Sequence, residues 1–324
     1  MKTKIVYVVV SDDSDFYLEQ TLLSVYSARL YMPEAEIVLI VDDLTDKTIQ
    51  GKRAKILEYI SLKVVVEIEK KYTNQQRSRI LKTTMREHVN GDFLFIDSDT
   101  IITSSLEEAD EFNFDIAAVK DLHAPNIALN PKFDHLKKLI TTSGMTIEDN
   151  SEYFNSGVIF AKDNELTRSF FKTWNNLWHE SVLRGINKDQ PSFAKAHVSC
   201  GNLIKELPGY WNCQVRYGVR FLHKSKVIHY FASGFLYYKK NDIHEFMNKD
   251  IFMELKQNGE ISDKMFQMIT NPLDYFNSEY VEIVCDKNLI QSDFAKLFRV
   301  IVHNNGILFR FSNFISRIIL KIYH

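Results

Sequence analysis

"GDFLFIDSDTIITSSLEE", residues 91–108, decides how the chain is read. An apolar run, Phe93-Leu94-Phe95-Ile96, ends in two acids one residue apart, Asp97 and Asp99. Thr100-Ile101-Ile102 follows, and then a polar, helix-starting Ser104-Ser105-Leu106-Glu107-Glu108. The apolar run has the length and composition of a buried strand. Two carboxylates delivered to one point repel each other, and a bound cation or a shared proton makes that arrangement favourable. On this reading, removing one acid should slightly stabilise the metal-free protein. The plainer alternative is that both acids cap the turn and helix that follow.

Outward from this stretch, β-branched runs alternate with helical patterns. Residues 4–10, 36–41 and 63–68 read as strands, with a helix-like segment around 49–59. Leu18, Leu22, Val25, Tyr26 and Leu30 recur at spacings of three and four, which predicts an amphipathic helix ending before Pro33. Residues 74–89 predict another, carrying Leu81, Met85 and Val89 on one face. Strands separated by such helices imply an α/β fold with a mainly parallel sheet. Ligands of such sheets sit at the C-terminal strand ends, where Ser11-Asp12-Asp13, Asp42-Asp43 and Asp97-Ser98-Asp99 all fall. Further on, residues 152–163 and 225–231 read as strands, and Leu166, Phe170, Trp174, Leu177 and Trp178 form one helical stripe. Residues 187–197 read as a loop entering a helix, with Pro191 in its first turn. From about residue 240 the pattern is helical and rich in Phe.

Composition excludes several classes. The 324 residues, 45% apolar and 25% charged, suit one large domain with an appendage. A net charge of −2 gives no reason to expect nucleic acid as a partner. Cys200, Cys213 and Cys285 form no CxxC pair, which argues against a zinc ribbon or disulfide framework and for a reducing, cytoplasmic setting. The N-terminal apolar run is short for a secretory signal, and no run approaches the ~20 apolar residues of a membrane span.

Three chemistries use paired acids at a strand end. An EF-hand would place Asp97, Asp99 and Glu108 at its first, third and twelfth positions, but Ile101 stands where an oxygen ligand belongs and Ile102 where the turn needs Gly. A haloacid-dehalogenase-like phosphatase has two acids in this spacing, usually on its first strand, with Thr or Val two residues after the second. Here that position holds Ile101, and βα units precede it. In a nucleotide-sugar glycosyltransferase the two acids hold Mn²⁺ or Mg²⁺, which neutralises a departing diphosphate.

Five segments bear on the choice: "VVVSDDSDFYLEQTLLSV", "RILKTTMREHVNGDFLFIDSDTIITSSLEE", "YFNSGVIFA", "NKDQ" and "VIHYF". Together, over roughly residues 4–235, they resemble the GT-A glycosyltransferases of family eight, which include bacterial lipopolysaccharide galactosyl- and glucosyltransferases and the glycogenins. The resemblance implies a metal-dependent, retaining transfer of a hexose from a UDP-sugar to a saccharide or lipid-linked acceptor. It implies that Ser11, Asp12 and Asp13 meet uracil and ribose, with Phe16 or Tyr17 near the base. Arg79 and Ser98 would contact the donor, and Asn155 and Ser156 would face its sugar, with Gly157 allowing close approach. Asp189 and Gln190 would lie on the reacting face, and His229 would join Asp97 and Asp99 on the metal. "WN", Trp211-Asn212, supports the alignment without chemistry of its own. The sequence departs from the family after His229. A Gly and a diphosphate-binding Lys are replaced by Ala232 and Phe235, leaving Lys224, Lys226, Lys239 or Lys240 as candidate substitutes. The rival to an active enzyme is a non-catalytic nucleotide-sugar-binding protein.

The expected division is a catalytic domain over 1–240 and a helical region over 241–324. Residues 294–324 carry Lys296, Arg299, Arg310, Arg317 and Lys321 and no acid. In this tail Leu308, Phe311, Ile315, Ile318, Ile319 and Ile322 form a helical stripe. That pattern predicts either a packed terminal helix or a peripheral contact with the anionic inner face of the cytoplasmic membrane.

Overall fold

The computed structural model describes residues 1–215, 218–230, 248–276 and 306–323, and single positions 244, 246, 293, 297, 298, 300 and 301. The chain forms two compact units, Met1–Phe276 and Asn277–His324.

A seven-stranded sheet forms the centre of the first unit. β1 (Lys4–Val9), β2 (Ile37–Asp42), β3 (Leu62–Val66) and β4 (Phe93–Ile96) are parallel in the order β3-β2-β1-β4. Beyond β4 lie β7 (Phe154–Ala161), β6 (Ile116–Lys120) and β8 (Ile204–Glu206). The sheet is mostly parallel, as the alternating pattern requires, but β7 runs antiparallel to both neighbours. Its beginning therefore lies beside the end of β4. Hydrophobic periodicity specifies a strand's faces and not its direction, so this reversal is invisible in the sequence.

A second, three-stranded sheet joins β5 (Thr100–Ile102), β9 (Cys213–Gln214) and β10 (Val227–His229), with β10 antiparallel to β5. Helices α1 (Tyr17–Tyr31), α2 (Asp43–Asp46), α3 (Asn74–His88), α4 (Phe133–Thr142), α5 (Glu165–Leu183) and α6 (Gln190–Ser199) flank the sheets. α7 (Lys249–Asn258) and α8 (Asp263–Thr270) pack against α1. Residues 51–58, expected as a helix, form 3-10 turns.

α1 differs from its expected amphipathic form. Leu18, Leu22 and Val25 are buried, but so are Thr21, Ser24 and Ser27, while Leu30 is exposed. The polar face is buried because it is zipped to the segment after β4. Thr21 donates to the Ser98 hydroxyl (2.8 Å), Ser24 bonds Thr100 (2.8 Å), and the Ile102 amide donates to Ser27 (2.9 Å). Hydroxyls at helical spacing thus meet partners at strand spacing, and these three buried hydroxyls are satisfied.

On the other side of the sheet, Phe170, Trp174 and Trp178 of α5 are fully buried, each worth roughly 2–3 kcal/mol of apolar burial. Leu166, at the start of the predicted stripe, is exposed in the first turn.

The second acidic strand end is structural. Asp42 caps α2 by accepting from the Thr45 amide (2.9 Å) and pairs with Arg77 of α3 at 2.7 Å, both side chains being buried. Arg77→Met should therefore destabilise the protein by about 3–5 kcal/mol, because it strands a buried carboxylate. Adding Asp42→Asn should recover part of that loss in chemical denaturation.

Candidate active site

Asp97 follows β4, and its amide donates to the Gly157 carbonyl (2.8 Å), continuing the β4–β7 ladder. The β10–β5 register sets His229 opposite Thr100, and the Tyr230 amide donates to the Asp99 carbonyl (3.0 Å). Two local ladders thus bring Asp97, Gly157, Asp99 and His229 together. One ligand atom from each of Asp97, Asp99 and His229 lies within 4.8 Å of the others.

His229 Nδ1 donates to Asn212 Oδ1 (3.0 Å), which turns Nε2 toward Asp99, 3.2 Å from Oδ1. Asn212 in turn donates to Asn155 Oδ1 (2.9 Å). Such an outer partner fixes the ring of a metal-binding histidine. Burial alone would lower the pKa of His229, but Asp99 outweighs it and raises it. Burial would likewise raise that of Asp99, but His229 holds it below the usual carboxylate range.

A divalent cation fits this cluster on two grounds. The donor set, two carboxylates and an oriented imidazole, suits Mn²⁺, with Mg²⁺ the harder alternative. The space is kept by Gly157: a Cβ there would stand 2.4 Å from His229 Cε1 and 2.9 Å from Asp97 Oδ2. Its lack of a side chain is therefore required by close approach.

Asp189, immediately before α6, is buried and makes no cap of that helix. Its carboxylate pairs with Arg79 Nε (2.8 Å) and Lys82 Nζ (3.5 Å) and accepts from Ser156 Oγ (2.9 Å). Burial works to raise its pKa, but Arg79 and Lys82 hold it at about 2. Its carbonyl accepts from the Trp174 indole (3.0 Å) and the Ser192 hydroxyl (2.7 Å), while Trp178 donates to the Asn187 carbonyl (3.1 Å). The stripe of α5 thus anchors the loop that presents Asp189. Gln190 follows, half-buried, at the start of α6.

Lys82 was not singled out from the sequence. Its side chain is buried, with Nζ 3.1 Å from Asp97 Oδ1 and 3.5 Å from Asp189, over the Phe95 ring. The available signal was its spacing from Arg79, which puts both on one helix face. Asn212, read as carrying no chemistry, orients the His229 ring. Asp121 is a third addition, accepting from Asn155 Nδ2 and Asn130 Nδ2, both at 3.0 Å.

Most of the other expected residues are committed to protein partners. Asn155 bridges Asp121, Asn212 and the Gly157 amide, and Ser156 serves Asp189. Ser98 accepts from Thr21. Ser11 is buried beneath the loop that carries Asp12 and Asp13; Asp12 accepts from Ser14 and Asn74, and Asp13 is exposed. Phe16 stacks on Phe252 of α7, with centroids 6.2 Å apart. Lys226 is turned to the Ser105 carbonyl and Glu108. Lys239 and Lys240 lie outside the described residues.

Residues 8–235 match the family described as glycosyl transferase family 8. No curated protein matches the chain by sequence. Among solved structures, galactosyltransferase LgtC in complex with donor and acceptor sugar analogs is 14% identical, with a TM-score of 0.51 over 81% of this chain and 98% of that one. The glycosyltransferase GlyE of Streptococcus pneumoniae TIGR4 is also 14% identical, with a TM-score of 0.51 over 86% of this chain and 65% of that one. At this identity the likeness shows a shared GT-A fold.

The pairing of the acids overturns one expectation. Asp97 already has Lys82 and Asp99 has His229, so removing an acid takes away a close partner of a buried group instead of relieving repulsion. Asp99→Asn should lower the Tm of the metal-free protein. Gly157→Ala should abolish the Mn²⁺-induced rise in Tm at a cost of about 1–3 kcal/mol in metal-free stability. A scanning-calorimetry comparison with and without Mn²⁺ checks both.

Proposed function

The chain belongs to glycosyl transferase family 8 and is a glycosyltransferase, and on that premise we propose that it moves a hexose from a UDP-sugar to a saccharide or lipid-linked saccharide acceptor, with metal dependence and retention of configuration. The observation that carries this reading is the Asp97–Asp99–His229 cluster beside the cation-held Asp189. Asp97, Asp99 and His229 would hold the divalent ion. That ion supplies Lewis-acid stabilisation of the leaving diphosphate.

Asp189 is unsuited to acid–base work. Held at about 2 and bound by two cations, it stays ionised near neutral pH and is a weak base. Its suitable task is to accept hydrogen bonds from sugar hydroxyls beside Gln190 and to offset positive charge developing on the sugar. With no strong base supplied by this aspartate, the acceptor proton passes most simply to the departing diphosphate on the same face. That route fits retention. Arg79 and Lys82 present fixed positive charge where the donor's phosphates would lie, and Ser11, Asp12 and Asp13 are assigned to its nucleoside. The Ser98, Asn155 and Ser156 side chains position neighbouring groups.

The second unit suggests where the enzyme works. α9 (Gly306–Tyr323) exposes Ile307, Leu308, Phe311, Phe314, Ile315 and Ile318. At helical pitch these fall within about a third of the circumference, with Arg310 and Arg317 along one border. An apolar face edged by cations, in a tail without acids, suits an anionic lipid surface, at about 1 kcal/mol per basic residue. None of the described helices is long and apolar enough to cross a membrane.

Incubation with a panel of UDP-sugars and Mn²⁺ should give donor hydrolysis with one of them. Absence of both hydrolysis and a UDP-dependent Tm shift would overturn the donor assignment. Asp189→Asn and Gln190→Ala should each cut turnover about 100-fold or more while changing UDP affinity less than about threefold. For the tail, Arg310→Glu with Arg317→Glu should abolish cosedimentation with phosphatidylglycerol vesicles and leave transfer to a soluble acceptor unchanged.

A further inference from the structure

The loop between β1 and α1, assigned above to the nucleoside, is crowded with negative charge. Asp12, Asp13 and Asp15 lie in it and Glu19 follows in the first turn of α1, and the proposed donor would itself bring negative charge. Two cations from other parts of the chain hold this loop from behind.

Arg53 comes from the 3-10 segment Gly51–Glu58 and is almost fully buried. Its Nε pairs with the buried Glu19 (2.8 Å), Nη2 donates to Ser11 Oγ (2.7 Å), and Nη1 lies 3.5 Å from Asp13. With Arg53 donating to it, the Ser11 hydroxyl gives its own proton to Asp15 Oδ1 (2.5 Å). Lys256 comes from α7, and its Nζ donates to the main-chain carbonyls of Asp13 (2.8 Å) and Asp15 (2.9 Å). It also stands over the Phe16 ring, 5.5 Å from the centroid, while that ring stacks on Phe252 of the same helix. Between the cations, Leu18, Leu22 and Leu255 line a small pocket with the Glu19 side chain.

We propose that Arg53 and Lys256 are positioning residues for the donor's nucleoside, acting through the 11–16 loop; this rests on the UDP-sugar reading above. A forked guanidinium fixes three side chains at once, and an ammonium bound to two carbonyls fixes the path of the backbone. The same charges lower the negative potential that the diphosphate meets on approach. α7 lies outside the segment matched by the family, so part of the donor site's rigidity comes from the chain beyond it. Neither cation belongs to the cluster around Asp97 and Asp189. Their loss should therefore weaken the nucleotide and leave both metal binding and turnover alone.

The test uses the full chain with Lys256→Met, Lys256→Arg and the pair Arg53→Met/Glu19→Gln, which avoids stranding a buried carboxylate. Titration calorimetry with UDP in saturating Mn²⁺ should show about tenfold weaker binding for Lys256→Met and for the pair, the scale of one charge-assisted hydrogen bond. Lys256→Arg should recover most of it. Mn²⁺ affinity without nucleotide should stay unchanged, and donor hydrolysis should show a raised KM at nearly constant kcat. If Lys256→Met binds UDP like the wild type, or loses kcat at unchanged KM, the positioning role is overturned. A wild-type chain that does not bind UDP overturns the donor reading as well.

Discussion

The ammonium of Lys82, buried between Asp97 and Asp189, is the contact on which the site's arrangement depends. Taking the Lys82 and Asp189 charges out of water costs several kcal/mol per ion unless each finds a close partner. That penalty constrains geometry: α3 must lie against the end of β4 and the loop before α6 at one depth. Arg79, one turn away on the same helix, completes the neutralisation of Asp189 and is itself only partly buried. Two carboxylates from distant parts of the chain are thereby tied to one helix. The Asp97–Asp99–His229 cluster and Asp189 form a single electrostatic unit.

Much of this was legible in the sequence. β1, β2 and β4 announce themselves as short apolar runs, and Asp97 and Asp99 fall where such a run ends. The helix 74–89 and the loop entering α6 at Pro191 appear close to where patterns of spacing and turn residues put them. What the pattern could not supply was direction, depth and partnership. The reversal of β7 leaves no trace in its alternation, yet it brings Asn155, Ser156 and Gly157 to the site. A buried Lys82 is written with the same letter as a solvated one. The polar face of α1 looks like a surface until Ser98, Thr100 and Ile102 are seen against it. In each case the missing information is which element lies opposite, a property of the assembled chain.

The first unit also shows how a site at strand ends can be assembled from unlike connections. One group of the cluster comes from a parallel strand's end, one from the residue entering β5, and one from the end of β10 in a separate small sheet. Each is fixed by hydrogen bonds between main-chain atoms, which leave little freedom for the side chains to drift. Function here depends on register. A slip of one residue in the pairing of β10 with β5 would turn the imidazole to the opposite face.

The indoles of Trp174 and Trp178 bond to main-chain carbonyls of residues 189 and 187, and not to any side chain of that loop. Anchoring of this kind is indifferent to what the intervening positions carry, and Lys188 between them is exposed. Substitution there can alter what the loop presents to solvent while the aspartate keeps its place. The fold thus separates what holds the loop in place from what its exposed side chains present, so those positions can change without rebuilding the scaffold.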